Sequence, residues 1–269
     1  ITGEDRDTTI IDGGGNGECI GIWADSVSIS GFTIRNSDDY MGYRGIYLNS
    51  ENENCLIYDN IVFGNYFGIV LEWHSNNNNI SNNLIHSNRY GLNLYYSEDN
   101  IITGNTITSN NYYGIVLSGN CRYNLISNNL VFENNNYGIL ISSSSSNSIV
   151  NNSVFLNDYT GIYLENSRLN LVSGNNVSDN NNQGISIVSN SQNNTISNNW
   201  ISYNDIGIEF GGERCNSNLL TNNNILNNQW CGIRFNSWGG LNVLNHITYN
   251  NIISNGDYGI YNAGTSQYN

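Results

Sequence analysis

Apolar and polar residues alternate in short runs along this chain, and the runs recur about every 23 residues. Alternation with a period of two reads as strand, and no apolar stripe of helical spacing persists anywhere. A Gly-Ile step marks the period. It stands at Gly21-Ile22, Gly45-Ile46, Gly68-Ile69, Gly91-Leu92, Gly114-Ile115, Gly138-Ile139, Gly161-Ile162, Gly184-Ile185, Gly207-Ile208, Gly232-Ile233 and Gly259-Ile260. Two further runs precede each step, of the kind Asn-Ile-Ile (100–102) and Asn-Thr-Ile-Thr-Ser-Asn (105–110). Three strands and three turns per period predict one coil of a parallel β-helix. The whole chain then reads as an all-β solenoid of about eleven coils, one domain over residues 1–269.

The period also predicts which side chains are neighbours. Ile80, Ile102, Ile126, Ile149, Val172, Ile196 and Leu220 should stack in one strand column. Val62, Ile85, Ile107, Val131, Val154, Val177, Ile201 and Ile225 should stack in a second, and the Gly-Ile isoleucines in a third. Successive members should lie one strand spacing apart, about 4.8 Å. Asparagine forms three columns of its own, beginning at Asn60, Asn65 and Asn78, at the corners between strands. There its amide can bond its own turn, tolerate left-handed backbone and ladder to the next coil. The glycine before each isoleucine is expected to supply a positive φ.

Composition adds restraint. The net charge is −14, from 22 acids against 8 arginines, with no lysine and no proline. Such a surface repels phosphate backbones and anionic bilayers, so nucleic acid is not an expected partner. No apolar run approaches the ~18 residues of a membrane span. Both termini fall inside the repeat without the polar caps that solenoids use. The chain is therefore expected to be a portion of something longer, or a rod whose ends are covered by neighbours. Five cysteines, Cys19, Cys55, Cys121, Cys215 and Cys231, leave at least one unpaired. Cys121 and Cys215 share a column four coils apart, too far for a disulfide.

Catalytic chemistry is hard to place on this frame. Glycoside hydrolysis needs two suitably spaced carboxylates, and no two acids align on adjacent coils. Asp25 and Glu72, for instance, are read as one column with Asn49 between them. His74, His86 and His246 fall in different columns, and no zinc-type spacing occurs. No cofactor is expected; Ca2+ is the metal that a surface rich in Asn and Asp oxygens would suit. The unusual residues concentrate after the third strand of coils two to four: Glu51, Glu53, Glu72, Trp73, His74, Tyr95, Tyr96, Glu98 and Asp99. Rings can stack on the apolar face of a sugar while carboxylates bond its hydroxyls. An outward stripe with Trp23, Tyr47, Val70, Val116, Leu140 and Tyr163 runs alongside, with aromatics such as Tyr66, Phe67, Tyr90 and Tyr113 in the preceding turn. A smaller candidate comprises Glu213, Arg214, Trp230, Arg234 and the 237–240 insertion.

The phrase Ser28-Ile29-Ser30-Gly31-Phe32-Thr33-Ile34-Arg35-Asn36-Ser37, followed by coils of Asn-x-Ile-x-x-Asn-x-x-Gly-Ile-x-Leu, resembles the NosD-like and CASH-domain repeats. The resemblance spans essentially the whole chain and implies a right-handed parallel β-helix outside the cytoplasm. It implies no one activity, because the family includes copper-enzyme maturation proteins, lyases, hydrolases, epimerases and surface proteins. The polygalacturonase-like Asn-Thr-Asp, Gly-His-Gly and Arg-Ile-Lys motifs are missing, and an epimerase-like Asp-Pro-His cannot occur without proline. No catalytic residue therefore carries over. Three functions stay open: a non-catalytic extracellular or cell-surface rod of structural, filament or adhesive kind; a glycan-binding module; a polysaccharide lyase or glycoside hydrolase. The partners expected are a polysaccharide, other surface proteins or further copies of the chain.

Overall fold

The computed structural model describes residues 1–38, 42–236 and 242–263. Its strands gather into three parallel sheets that wind around one apolar core. The first sheet holds the strands from Ser28–Ser30 to His246–Thr248, the second those from Ile10–Asp12 to Asn251–Ile253, and the third those from Ile20–Ile22 to Tyr258–Asn262. Among the described residues the second and third sheets have eleven strands each and the first has ten, which gives the eleven coils of the repeat. Every strand pairs with its counterpart one coil away. Ile102 lies between Ile80 and Ile126, Ile85 between Val62 and Ile107, and Leu92 between Ile69 and Ile115. The predicted columns are thus the core, and nearly all their members are fully buried.

The asparagine columns are hydrogen-bonded ladders. Asn83 is typical: its Nδ2 donates to the Ile57 carbonyl at 2.8 Å and to Asn105 Oδ1 at 3.0 Å. Its Oδ1 accepts from both the backbone N–H and the Nδ2 of Asn60, each at 3.0 Å. A buried corner thereby satisfies amide and backbone together, as buried polar groups require. The first two ladders run on through Asn223 and Asn228 to Asn250 and Asn255. A fourth, shorter ladder links Cys121 to Ser144, Ser167 and Ser191 through N–H···Oγ bonds of 3.1 to 3.3 Å. All five cysteines are free.

Three expectations need correction. The ladder asparagines are not left-handed; the residue before each one is. Asn82, Ser87 and Asp99 have φ of 55°, 52° and 54°, and even Leu169, before Asn170, has 58°. The side-chain amide must point inward along the ladder, so the preceding residue makes the bend. The glycine of the Gly-Ile step likewise has no positive φ. Its role is close approach: a Cβ on Gly161 would lie 2.6 Å from Val177 Cγ1, 2.7 Å from the Gly184 carbonyl and 2.8 Å from Asn180 Nδ2. Finally, Gly21-Ile22 is out of step. Ile20 pairs with Ile46, Gly21 with Tyr47 and Ile22 with Leu48. This register puts Ile20 and Ile22 on the two core positions, where a two-residue shift would put Ile22 and the smaller Ala24.

Candidate functional site

The outer face of the third sheet carries the unusual side chains. In its strands the residues flanking the two core positions point outward, so identical steps of the repeat form rows along the axis. One row runs Arg44, Phe67, Tyr90 and continues through Tyr113 and Tyr137. The middle row runs Tyr47, Val70, Asn93, Val116, Leu140 and Tyr163. The third passes from Trp23 and Asn49 to Glu72, Tyr95 and Ser118. Trp23 is not in the middle row, because Gly21 takes that place. Nor is this row an open stripe: Val70 and Val116 are buried.

Parallel in-register pairing sets equivalent rings about 4.8 Å apart, close to the separation at which aromatic faces stack. Phe67 and Tyr90 stack with centroids 4.9 Å apart, Tyr113 and Tyr137 at 5.3 Å, and Tyr137 and Tyr163 at 4.4 Å. Tyr90 and Tyr113, tilted at 5.8 Å, join these pairs into one chain of rings. Tyr66 and Tyr112 flank Tyr90 on its shoulder, at 5.8 and 5.2 Å. Across the face stands a second cluster. Trp73 stacks on Tyr96 at 4.8 Å and meets Tyr95 edge-on at 5.2 Å. Gly119 makes room, since a Cβ there would sit 2.7 Å from Tyr95 and 2.8 Å from Tyr96.

Between the two clusters lies a charged knot. Arg44 donates to Glu18 at 2.8 Å and to both oxygens of Glu72 at 3.0 and 3.1 Å. Its guanidinium sits 4.3 Å over the Tyr47 ring, whose hydroxyl donates to Asn49 at 2.8 Å and contacts Glu72 at 3.2 Å. Burial, then the Glu72 carboxylate, pushes the Tyr47 hydroxyl up to about 12. Burial and neighbouring tyrosines do the same to Tyr137, also to about 12, and raise Tyr163 further. A raised phenol means that the unfolded chain ionises first. The stabilisation is complete below pH about 10 and is lost as the pH climbs toward 12. In an alkaline titration followed at 295 nm and by circular dichroism, these tyrosines should ionise only as the β signal disappears. Complete ionisation of all tyrosines near pH 10 with the fold intact would contradict this.

Of the residues selected from the sequence, the structure brings Glu72, Trp73, Tyr95 and Tyr96 together. Glu51 and His74 lie in the adjoining turns with φ of 65° each. The His74 N–H donates to the Tyr96 carbonyl at 2.8 Å and that of Glu51 to the Trp73 carbonyl at 2.9 Å. Glu53, Glu98 and Asp99 fall one corner further on, beside the asparagine ladder: Glu98 N–H bonds Asn76 Oδ1, and Asp99 N–H bonds the Arg122 carbonyl. Arg44, with its partner Glu18, is the central residue that sequence reasoning missed. Its place one residue before Gly45-Ile46, in a column otherwise aromatic, was the signal.

The alignment of acids also changes. Glu72 is level with Asn49 and Trp23, whereas Asp25 is level with Glu53 on the adjacent coil. An adjacent carboxylate pair therefore does exist, because the first coil's register differs from the spacing of its Gly-Ile step. Asp25 Oδ1 is occupied, however, accepting the Glu53 backbone N–H at 2.9 Å. In the smaller candidate, Arg234 lies 5.0 Å over Trp230, and its carboxylate partner is Glu209 at 3.4 Å. Glu209 is buried and accepts from Gln183 Nε2 at 2.6 Å, while Gln183 Oε1 accepts from Thr160 at 2.7 Å. Glu213 and Arg214 stand in the following turn. The 237–240 insertion lies outside the described residues.

These features define a right-handed parallel β-helix whose third sheet carries an aromatic outer face. Residues 4–160 match the family model described as periplasmic copper-binding protein (NosD). Residues 97–245 and 155–269 match that described as right handed beta helix region. The chain belongs to this NosD-like β-helix repeat family. No curated protein matches it. Among solved structures, it is similar to the A-module of the Azotobacter vinelandii mannuronan C-5 epimerase AlgE4, with a TM-score of 0.83 and 15% identity over 100% of this chain and 83% of that one. It is also similar to the Dettilon tailspike protein, with a TM-score of 0.77 and 19% identity over 93% of this chain and 55% of that one. A third is the periplasmic alginate epimerase AlgG, with a TM-score of 0.67 and 18% identity over 88% and 69%. At these identities the likeness is one of fold.

Among the described residues, the copper of the family description finds no fitting set of His, Cys, Asp or Glu donors. His86 and His246 lie on different sheets, and His74 lies in a turn. Burial raises the thiols of Cys19 and Cys121 to about 11 and those of Cys215 and Cys231 to about 12. Burial thus disfavours the thiolate that metal ligation needs. Among the described residues, no three His, Cys, Asp or Glu side chains converge as a metal site.

Proposed function

We propose that this chain is a non-catalytic rod of the cell surface or periplasm whose third-sheet face binds a polysaccharide lengthwise. The observation that carries this reading is the unbroken chain of rings from Phe67 to Tyr163, faced by the Trp73–Tyr95–Tyr96 cluster. Rings stacked on one another turn their edges outward at each coil, a ribbed apolar strip along which a polymer of sugar rings can lie. Of the carboxylates on this face, Glu72 is held by Arg44 and Glu165 accepts from Ser142 Oγ, which favours binding over bond cleavage. The periplasmic description of the family supports the location. The mannuronan and alginate after which the similar epimerases are named support the ligand class. Among the described residues no helix is long and apolar enough to cross a membrane.

The test is a glycan array with purified protein, followed by titration of the best ligand against Trp73→Ala. Truncating an aromatic anchor costs about 2 kcal/mol, roughly 30-fold in Kd. The reading fails if no glycan binds, or if Trp73→Ala binds as well as the parent. Release of reducing or unsaturated ends from the bound polymer would instead make the chain an enzyme.

A further inference from the structure

The cations of this face are already spent. Arg44 holds two carboxylates, Glu18 and Glu72, and Arg234 holds Glu209. From Phe67 to Glu165, among the described residues, the three outward rows include no cationic side chain, and they include Glu72 and Glu165. The chain has no lysine and a net charge of −14. Arg89 stands on one shoulder of the face, and Arg122 and Arg168 lie in the corner column beyond the other. The Arg89 guanidinium is wedged between Tyr66 and Tyr112, 4.8 and 5.1 Å from their ring centroids.

A polyuronate brings one carboxylate with every sugar. Laid along these rows, such a chain would run past Glu72 and Glu165 with no cation in the rows themselves, and like charges repel where they come closer than a Debye length, roughly 8 Å at physiological salt. A neutral polysaccharide meets no such opposition: its hydroxyls can donate to Glu72 and Glu165, while its apolar ring faces cover the aromatics. Resting on the glycan-binding reading above, we infer that the ligand is an uncharged polysaccharide. That separates this chain from its structural neighbour AlgE4, a mannuronan epimerase.

Three matched pairs of hexasaccharides test this: mannose with mannuronate, galactose with galacturonate, and glucose with glucuronate. Each pair differs only in oxidation at C6. Calorimetric titration at 50 and 500 mM NaCl should find at least one neutral hexamer bound. Its uronate partner should bind at least tenfold more weakly, and its binding, where measurable, should strengthen with salt. The neutral Kd should change less than twofold between the two salts. A uronate that binds as tightly as its neutral partner, weakened by salt and by Arg89→Gln, would overturn the inference while sparing the glycan reading. If none of the six binds, the glycan reading falls and this inference falls with it.

Discussion

Asn152→Ala should cost the fold at least about 3 kcal/mol, far more than an alanine substitution at an exposed asparagine. Asn152 is 1% exposed, in the middle of its ladder. Its Oδ1 accepts from both Asn129 N–H groups, backbone and side chain, at 3.0 Å each. Its Nδ2 donates to the Ile126 carbonyl at 2.9 Å and to Asn175 Oδ1 at 3.0 Å. Alanine leaves these partners in a corner that water does not reach, and each stranded group costs about 1–3 kcal/mol. The comparison is Asn181→Ala, whose exposed amide bonds only Asp158, at 3.3 Å; there the change should stay within about 0.5 kcal/mol. Because each coil is held by its neighbours, a break at Asn152 should also broaden the urea transition or split it in two. Equal losses for the two variants would show that the ladders are not what holds the corners.

Gly161→Ala should cost about 3 kcal/mol for the opposite reason, by adding an atom. The new Cβ has no soft neighbour. Val177 Cγ1, the Gly184 carbonyl and Asn180 Nδ2 all lie within 2.8 Å of its position, and the asparagine is itself fixed in a ladder. Overpacking of a closed core costs about 1–3 kcal/mol or more, and here the coil spacing itself must give. The rows outside would shift with it: Tyr163 stacks on Tyr137 from the same strand. Glycan affinity should therefore fall even in material that still folds. A variant as stable as the parent, by urea unfolding, would return the glycine to a merely conformational role.

Core and corners were legible because the solenoid turns sequence period directly into spatial adjacency. Ile85, Asn83 and Leu92 needed only the spacing of 22 to 24 residues that the asparagine ladder bonds also show. What the period could not show was the third dimension of each corner. The left-handed φ falls on Asn82 rather than on Asn83, because a ladder amide must point inward. The first coil misled because Ile20 and Ile22 are both apolar, so the Gly-Ile step there marks a different register. At the site, the Trp73–Tyr95–Tyr96 cluster followed from adjacent strand ends. The Arg44 knot did not, since it joins residues on three coils, Glu18, Arg44 and Glu72, through long side chains. Glu209 was hidden for a similar reason: its bonds to Gln183 and Arg234 cross coils above and below it.

The most direct test of the third-sheet face is oxidative footprinting with and without the tightest glycan. Trp73, Tyr112 and Tyr159 are 46, 38 and 44% exposed on or beside that face. Trp200 and Tyr203, on and just beyond the second sheet, are 49 and 55% exposed and serve as internal controls. Bound glycan should slow labelling of Trp73 and Tyr112 several-fold and leave Trp200 and Tyr203 unchanged. Protection of Trp200 and Tyr203 with Trp73 and Tyr112 still labelled would place the glycan on another face and contradict the assignment.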